Sequence, residues 1–259
     1  MPLPSLLEAV AGHVAGVLGI EPEFLLPLPV SPPPPLPLAR YIDHTLLRPG
    51  ATPTEVRHLC TEARRFNFRA VCVNPVWVRL AVEELLGTET AVCTVCGFPL
   101  GANLTEIKVR EAEAAINDGA TEIDVVIGLG FLKAGDYPKV LAELLALRRA
   151  TAGRVLKVIL ETGLLTPEEK IAGALLARYA GADFVKTSTG FLAPGATVED
   201  VALLRSAVGW SIGVKASGGI RDRETATAML AAGATRIGTS SGTVIVEGAS
   251  PAAEKAYDA

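Results

Sequence analysis

The chain has 259 residues, 49% of them hydrophobic, with a net charge of −4 and only 5% aromatics. That is enough apolar material for a large α/β core. The acidic balance and the scarcity of aromatics argue against a nucleic-acid binder, which needs basic patches or stacking platforms.

Residues 1–39 differ from the rest. Ser5 and Glu8 have the spacing of a capping box, and Leu6, Leu7, Val10, Val14, Val17 and Leu18 follow helical periodicity, so a helix is predicted from about residue 5 to 19. PLPVSPPPPLPLA follows. Ten of the 18 prolines lie between positions 2 and 37, which reads as a semi-rigid connector outside any sheet. The helix is expected either to dock on the main domain or a partner chain, or to be a dispensable extension. The first cation is Arg40, so the start lacks the positive charge of an export signal, and no apolar run reaches the ~18 residues of a membrane span.

From Tyr41 onward, short apolar runs alternate with helical patterns. Strands are predicted at 41–47, 69–73, 90–96, 121–127, 155–160, 183–187, 211–216 and 235–240. Pro53 and Pro167 stand where helices begin. NDGATEIDVV, YAGADFVKT and AAGATRIGT each leave a helix through Gly-Ala and enter a strand, so one βα unit recurs. Eight such units in about 210 residues predict a TIM (β/α)8 barrel over 40–259, preceded by the N-terminal helix and Pro-rich segment of 1–39. A doubly wound sheet is the alternative, but no G-x-G-x-x-G follows the first strand.

Cys60, Cys72, Cys93 and Cys96 are expected to be reduced core thiols in the cytoplasm. CTVC lacks the second cysteine pair of a zinc ribbon, so no metal is expected.

Three strands carry a lysine in an apolar run: Lys157, Lys186 and Lys215, each 29 residues after the last. That period is one βα unit, so the three are expected at equivalent places on strands five, six and seven, converging on one site. Snorkelling outward to solvent is the alternative. A free lysine, with a pKa of about 10.4, is protonated and cannot attack a carbonyl. Burial and a neighbouring cation favour the neutral amine, which forms a Schiff base whose electron pull yields an enamine. One lysine would be the nucleophile and its neighbour would tune it. Asp124, deep in the fourth strand with Glu122 on the same face, can relay protons or merely neutralise a lysine. The glycines and serines of KASGGIR and GTSSG, with Gly190, suggest an anion site of backbone N–H groups aimed by helix N-termini.

YIDHTLLRP, VCVNP, CGFPLG, EIDVVIGLG, KVILETG, DFVKTSTGF, VKASGGIR and RIGTSSG, in this order over about residues 40–245, together resemble deoxyribose-phosphate aldolase. The resemblance implies a class I aldolase that cleaves 2-deoxy-D-ribose 5-phosphate to acetaldehyde and D-glyceraldehyde 3-phosphate, without metal or organic cofactor, as a cytoplasmic homodimer or homotetramer. It implies Lys186 as the Schiff-base lysine, Lys215 as its tuning partner and Asp124 as proton donor and acceptor. It places Lys157, Cys72, Asp43, Thr45 and Thr187 around the substrate, and Gly190, Gly218, Gly219, Ser240 and Ser241 around the phosphate. Two departures stand out. Phe191 occupies a position where some members carry a phosphate-binding lysine, and Tyr257 is third from the end, where some members end in a tyrosine that reaches the site. Another Schiff-base barrel, a sugar-phosphate binding protein without chemistry, and a scaffold acting through the Pro-rich segment are the competing readings.

Overall fold

The computed structural model describes residues 2–27 and 30–248; Tyr257 lies outside the described residues. Eight parallel strands close into a barrel in chain order, with β1 pairing both β2 and β8. They are β1 (Ile42–Leu46), β2 (Ala70–Val73), β3 (Ala91–Cys96), β4 (Glu122–Val126), β5 (Val155–Ile159), β6 (Phe184–Lys186), β7 (Gly213–Ser217) and β8 (Arg236–Thr239). Each falls on its predicted run, β7 ending one residue later, at Ser217. Parallel strands buried on both faces need apolar side chains outside as well as inside. That is why the runs read as nearly continuous Val, Ile and Ala.

The helices are α1 (Leu3–Leu18), α2 (Pro53–Phe66), α3 (Val78–Glu84), α4 (Thr105–Asn117), α5 (Leu129–Lys133) and α6 (Tyr137–Ala150). They continue with α7 (Pro167–Tyr179), α8 (Val198–Val208), α9 (Arg223–Ala231) and α10 (Gly242–Glu247). Pro53 and Pro167 open α2 and α7, each inside a capping box, Thr52 with Glu55 and Thr166 with Glu169. The Gly-Ala joints behave as expected. Gly119, Gly181 and Gly233 take φ of 106°, 81° and 109°, a region closed to most side chains, and the alanine after each is buried.

The N-terminal helix differs from its prediction at its start. It begins at Leu3 with Pro2 as N-cap, so Ser5 lies inside the helix and makes no capping box. Prolines in the first turn, whose missing N–H groups the helix does not need, move the start forward. The helix is also not a loose extension. Val10, Ala11, Val14 and Ala15 are buried in the main core against α6 and α7, and His13 meets Tyr137 edge-on at 5.8 Å. Arg178 of α7 ties the following turn down, donating to the carbonyls of Phe24 (2.8 Å) and Leu26 (2.6 Å). Residues 30–37 then run exposed, without helix or strand, to a 3-10 turn, Leu38–Tyr41, that leads into β1.

Val14 is fully buried beneath α6 and α7. Val14→Ala removes two methyls and leaves a cavity, so urea unfolding should show a loss of about 2 kcal/mol with catalytic constants unchanged.

Candidate active site

Alternate residues of each strand point into the barrel. On one side the interior is apolar, built by Leu47, Ala70, Cys72, Cys93 and Val95 with Phe98 and Phe191 packed against them. The other side is charged. It holds Asp43 on β1, Glu122 and Asp124 on β4, Lys157 on β5, Lys186 on β6, Lys215 on β7 and Arg236 on β8, none more than 4% exposed.

Asp124 is the hub. Its carboxylate lies 2.7 Å from Lys157 Nζ, 2.8 Å from Lys186 Nζ and 2.8 Å from Lys215 Nζ. Asp43 pairs with Lys215 (2.5 Å) and Arg236 (2.6 Å), and Glu122 with Lys157 (2.7 Å) and Arg236 (3.0 Å). Small residues make room: a side chain at Gly238 would strike Lys215 Cε at 2.9 Å, and one at Gly213 would strike the Phe184 ring.

One expectation changes here. The three lysines are not at equivalent positions. Lys186 and Lys215 are register partners, but Lys157 pairs with Phe184, two residues below Lys186. Long side chains at different depths nevertheless reach one carboxylate. Lys215 is held as a cation. Burial alone would lower its pKa, yet the Asp124 and Asp43 charges override it and raise the pKa well above the lysine range. Lys157 is likewise raised, with Asp124 the strongest opponent of burial. Burial would raise both aspartates, but Arg236, Lys215 and Lys157 hold Asp43 low, and the three lysines hold Asp124 low.

Above this cluster, at the C-terminal ends of β6, β7 and β8, a cavity opens. It is lined by Thr45, Lys186, Gly190 and Phe191, by Ser217–Arg221, and by Gly238–Ser240, with Leu47 and Thr189 completing the wall. Lys186 belongs to both, and among the described residues it is the one lysine lining the cavity. Gly190, Gly218 and Gly219 have φ of 86°, 89° and 76°, and around Gly218 backbone approaches backbone: a side chain at Gly195 would meet the Gly218 carbonyl oxygen at 2.1 Å.

Several predicted residues stand apart from the cavity. Thr187 follows the inward Lys186 and so faces outward. Its hydroxyl donates to the Ser217 carbonyl and accepts from the Ser217 N–H, both at 3.1 Å, lacing β6 to β7. Ser241 lies behind Ser240, its N–H given to Thr239 Oγ1 at 2.9 Å. The helix after it, α10, has six residues, and the cavity wall here is built from the loops before it. Cys72, the register partner of Thr45, is buried below the cavity, and Asp43 and Lys157 lie deeper still. Cys93 and Cys96 face opposite sides of β3: Cys93 donates to Asp124 (3.1 Å), Cys96 to the Lys108 carbonyl (3.1 Å). One ion cannot take both. Sequence reasoning missed Arg236 and Arg221. Arg236 had the signal that betrayed the lysines, a cation in an apolar strand, but not their spacing.

The cluster makes a stability prediction. Lys157→Met leaves Glu122 and Asp124 each short of a cation in a dry interior. Urea unfolding should show a loss of about 3–5 kcal/mol, with part regained when Glu122→Gln is added. A loss below about 1 kcal/mol would show that these pairs do not hold the interior.

Comparisons with known proteins agree with this geometry. The family model described as DeoC/LacD family aldolase matches residues 38–247. A deoxyribose-phosphate aldolase of Brevibacillus brevis is 57% identical over 210 residues, 81% of this chain and 95% of the relative. One from a Geobacillus strain is 56% identical over 212 residues, 82% of this chain and 95% of the relative. A solved deoxyribose phosphate aldolase from Aeropyrum pernix, described as tetrameric, has a TM-score of 0.74 at 36% identity, covering 92% of this chain and 95% of its own. A solved structure from Coccidioides immitis reaches a TM-score of 0.82 at 40% identity, covering 95% of this chain and 97% of its own. Coverage above nine-tenths takes in part of the segment before residue 40, which the bacterial relatives largely leave unmatched. The chain belongs to the DeoC/LacD family of aldolases.

Proposed function

We propose that the protein reversibly cleaves 2-deoxy-D-ribose 5-phosphate to acetaldehyde and D-glyceraldehyde 3-phosphate through a Schiff base on Lys186. The observation that carries this reading is the position of Lys186, on the floor of a glycine-lined cavity and 2.8 Å from a buried carboxylate. Lys157 and Lys215 are fully buried and held as cations, so they serve the charge balance rather than attack. Lys157, Lys186, Lys215 and Arg236 face Asp43, Glu122 and Asp124, one cation in excess. When Lys186 offers a neutral amine, three cations remain against three carboxylates, and the reactive form leaves the interior uncharged.

The amine adds to the C1 aldehyde of the open-chain sugar, and water leaves to give the iminium ion. Loss of the C3 hydroxyl proton breaks the C2–C3 bond. Its electron pair becomes the enamine, and C3 departs as the aldehyde of D-glyceraldehyde 3-phosphate. Protonation of the enamine carbon and hydrolysis release acetaldehyde and the free lysine. Asp124, with Lys215 beside it, is the relay for these protons. No metal or organic cofactor enters, because the iminium is the electron sink.

For the phosphate we assign the backbone N–H groups of Gly190, Gly218 and Gly219, Ser240, and the guanidinium of Arg221, residues that line the cavity. Arg221 supplies the charge that Phe191 does not. Thr45 faces the sugar hydroxyls, with Asp43 and Cys72 beneath it. We place the enzyme in the cytoplasm as a homodimer or homotetramer. The tetrameric description of the Aeropyrum relative supports the assembly, and among the described residues no helix is long and apolar enough to cross a membrane.

The test is reductive trapping in the presence of EDTA. Acetaldehyde and borohydride should leave an ethyl group on Lys186, mapped by peptide mass spectrometry, and Lys186→Ala should lose the adduct and at least about 10³-fold in kcat. An adduct on Lys215 or Lys157 would reassign the nucleophile; no adduct in the folded protein would leave a sugar-phosphate binding protein.

A further inference from the structure

Glu161 has no part in the chemistry above, yet it is one of the most constrained residues of the barrel. It follows the end of β5 with φ 55° and ψ 60°. Among the described residues only Asn67 is also a non-glycine with positive φ, and Asn67 ends α2, where asparagine commonly adopts that shape. Glutamate has no such excuse, so its surroundings must hold it there.

Its side chain is fully buried and, among the described residues, pairs with no cation. A buried carboxylate survives by accepting hydrogen bonds, and Glu161 takes them all from Thr189. The Thr189 N–H donates at 3.2 Å, and the Thr189 hydroxyl donates a short bond to the same oxygen, Oε2. The Thr189 hydroxyl oxygen in turn accepts from the Phe191 N–H at 3.1 Å. One residue further on, the Thr162 N–H donates to the Thr187 carbonyl at 2.9 Å. The turn after β5 thus grips the loop after β6 at two points.

This chain uses the N–H groups on both sides of Gly190 and leaves that of Gly190, which has no partner among the described residues. On its far side the same loop is held by β7: Ser217 Oγ donates to the Ser188 carbonyl at 2.6 Å, and the Ala196 N–H to the Ser217 and Gly218 carbonyls at 3.1 Å. Glu161 is the fastening on the near side. Being buried and outside the cavity wall, it does not reach the substrate.

We propose that Glu161 is a positioning residue for phosphate recognition: its carboxylate locks residues 188–191 so that the Gly190 N–H is left for the anion. The inference rests on the reading of the cavity as a sugar-phosphate site, and its test separates the two. Glu161→Gln turns one acceptor into a donor facing the Thr189 N–H and hydroxyl. Glu161→Gly removes the carboxylate but suits the backbone better.

Inorganic phosphate would be titrated into wild type and both variants by calorimetry. Turnover would be compared on 2-deoxyribose 5-phosphate and on unphosphorylated 2-deoxyribose. Both variants should lose about tenfold or more in phosphate affinity and raise KM for the phosphorylated sugar to match. Their kcat and their turnover of the unphosphorylated sugar should stay within about threefold of wild type. Wild-type phosphate affinity in Glu161→Gly would show that the turn alone matters, and equal loss on both sugars would show a general structural role; either overturns the proposal. If Glu161→Gln does not fold, Thr189→Val breaks the same chain from the other end. The double variant Glu161→Gly/Thr189→Val should then be no worse for phosphate than either single change, and additive losses would overturn the coupling. A wild type that binds phosphate but leaves the phosphorylated sugar intact would sink the aldolase reading, while the phosphate titrations would still decide the role of Glu161.

Discussion

Three ammonium groups on one carboxylate, Lys157, Lys186 and Lys215 on Asp124, are the constraint from which the rest of this barrel follows. Burying so many charges is costly, and the cost is bearable only when each finds its counter-ion at close range. Asp43 and Glu122 supply the other two anions, and Arg236 closes the network from β8. Gly238 on β8 and the apolar wall around Cys72 and Cys93 follow from it: the first gives Lys215 space, the second keeps water out.

The network also separates roles among like residues. Lys157 and Lys215 are locked as cations by the carboxylates around them. Lys186 has one carboxylate partner among the described residues and an open cavity above it. Three lysines of one chemical type thus become two fixed charges and one candidate nucleophile. The loops add a separate device. Gly190, Gly195 and Gly218 stack backbone on backbone, and the Glu161–Thr189 chain fastens the outer loop, so the shape of the cavity depends on packing among loops five, six and seven together.

Much of this was legible in the sequence. The eight strands stood out because buried parallel strands are apolar on both faces, and the Gly-Ala joints marked where each followed a helix. The 29-residue spacing of the lysines announced a shared site. Asp124 was legible as a carboxylate beside a lysine, but not as the partner of all three, because register sets Lys157 two residues lower than Lys186 and only side-chain length brings them together. Thr187 was misread although the alternation rule was available: a residue next to an inward lysine must face out. Ser5 misled as a cap because a proline-opened first turn competes with it. Glu161 stood in KVILETG without a reading of its own, since neither a positive φ nor a hydrogen bond to the loop after the next strand is written in composition or period.

The central claim is that Asp124, besides neutralising the lysines, moves the proton that makes and unmakes the enamine. Solvent exchange tests it directly. Acetaldehyde in D2O exchanges its methyl protons only when the enamine forms and is quenched, which proton NMR follows without any need for the phosphorylated product. Asp124→Asn, confirmed as folded, should slow this exchange by about 10²–10⁴, while borohydride still traps acetaldehyde on Lys186. Exchange at the wild-type rate in Asp124→Asn would contradict the account and reduce Asp124 to a counter-ion.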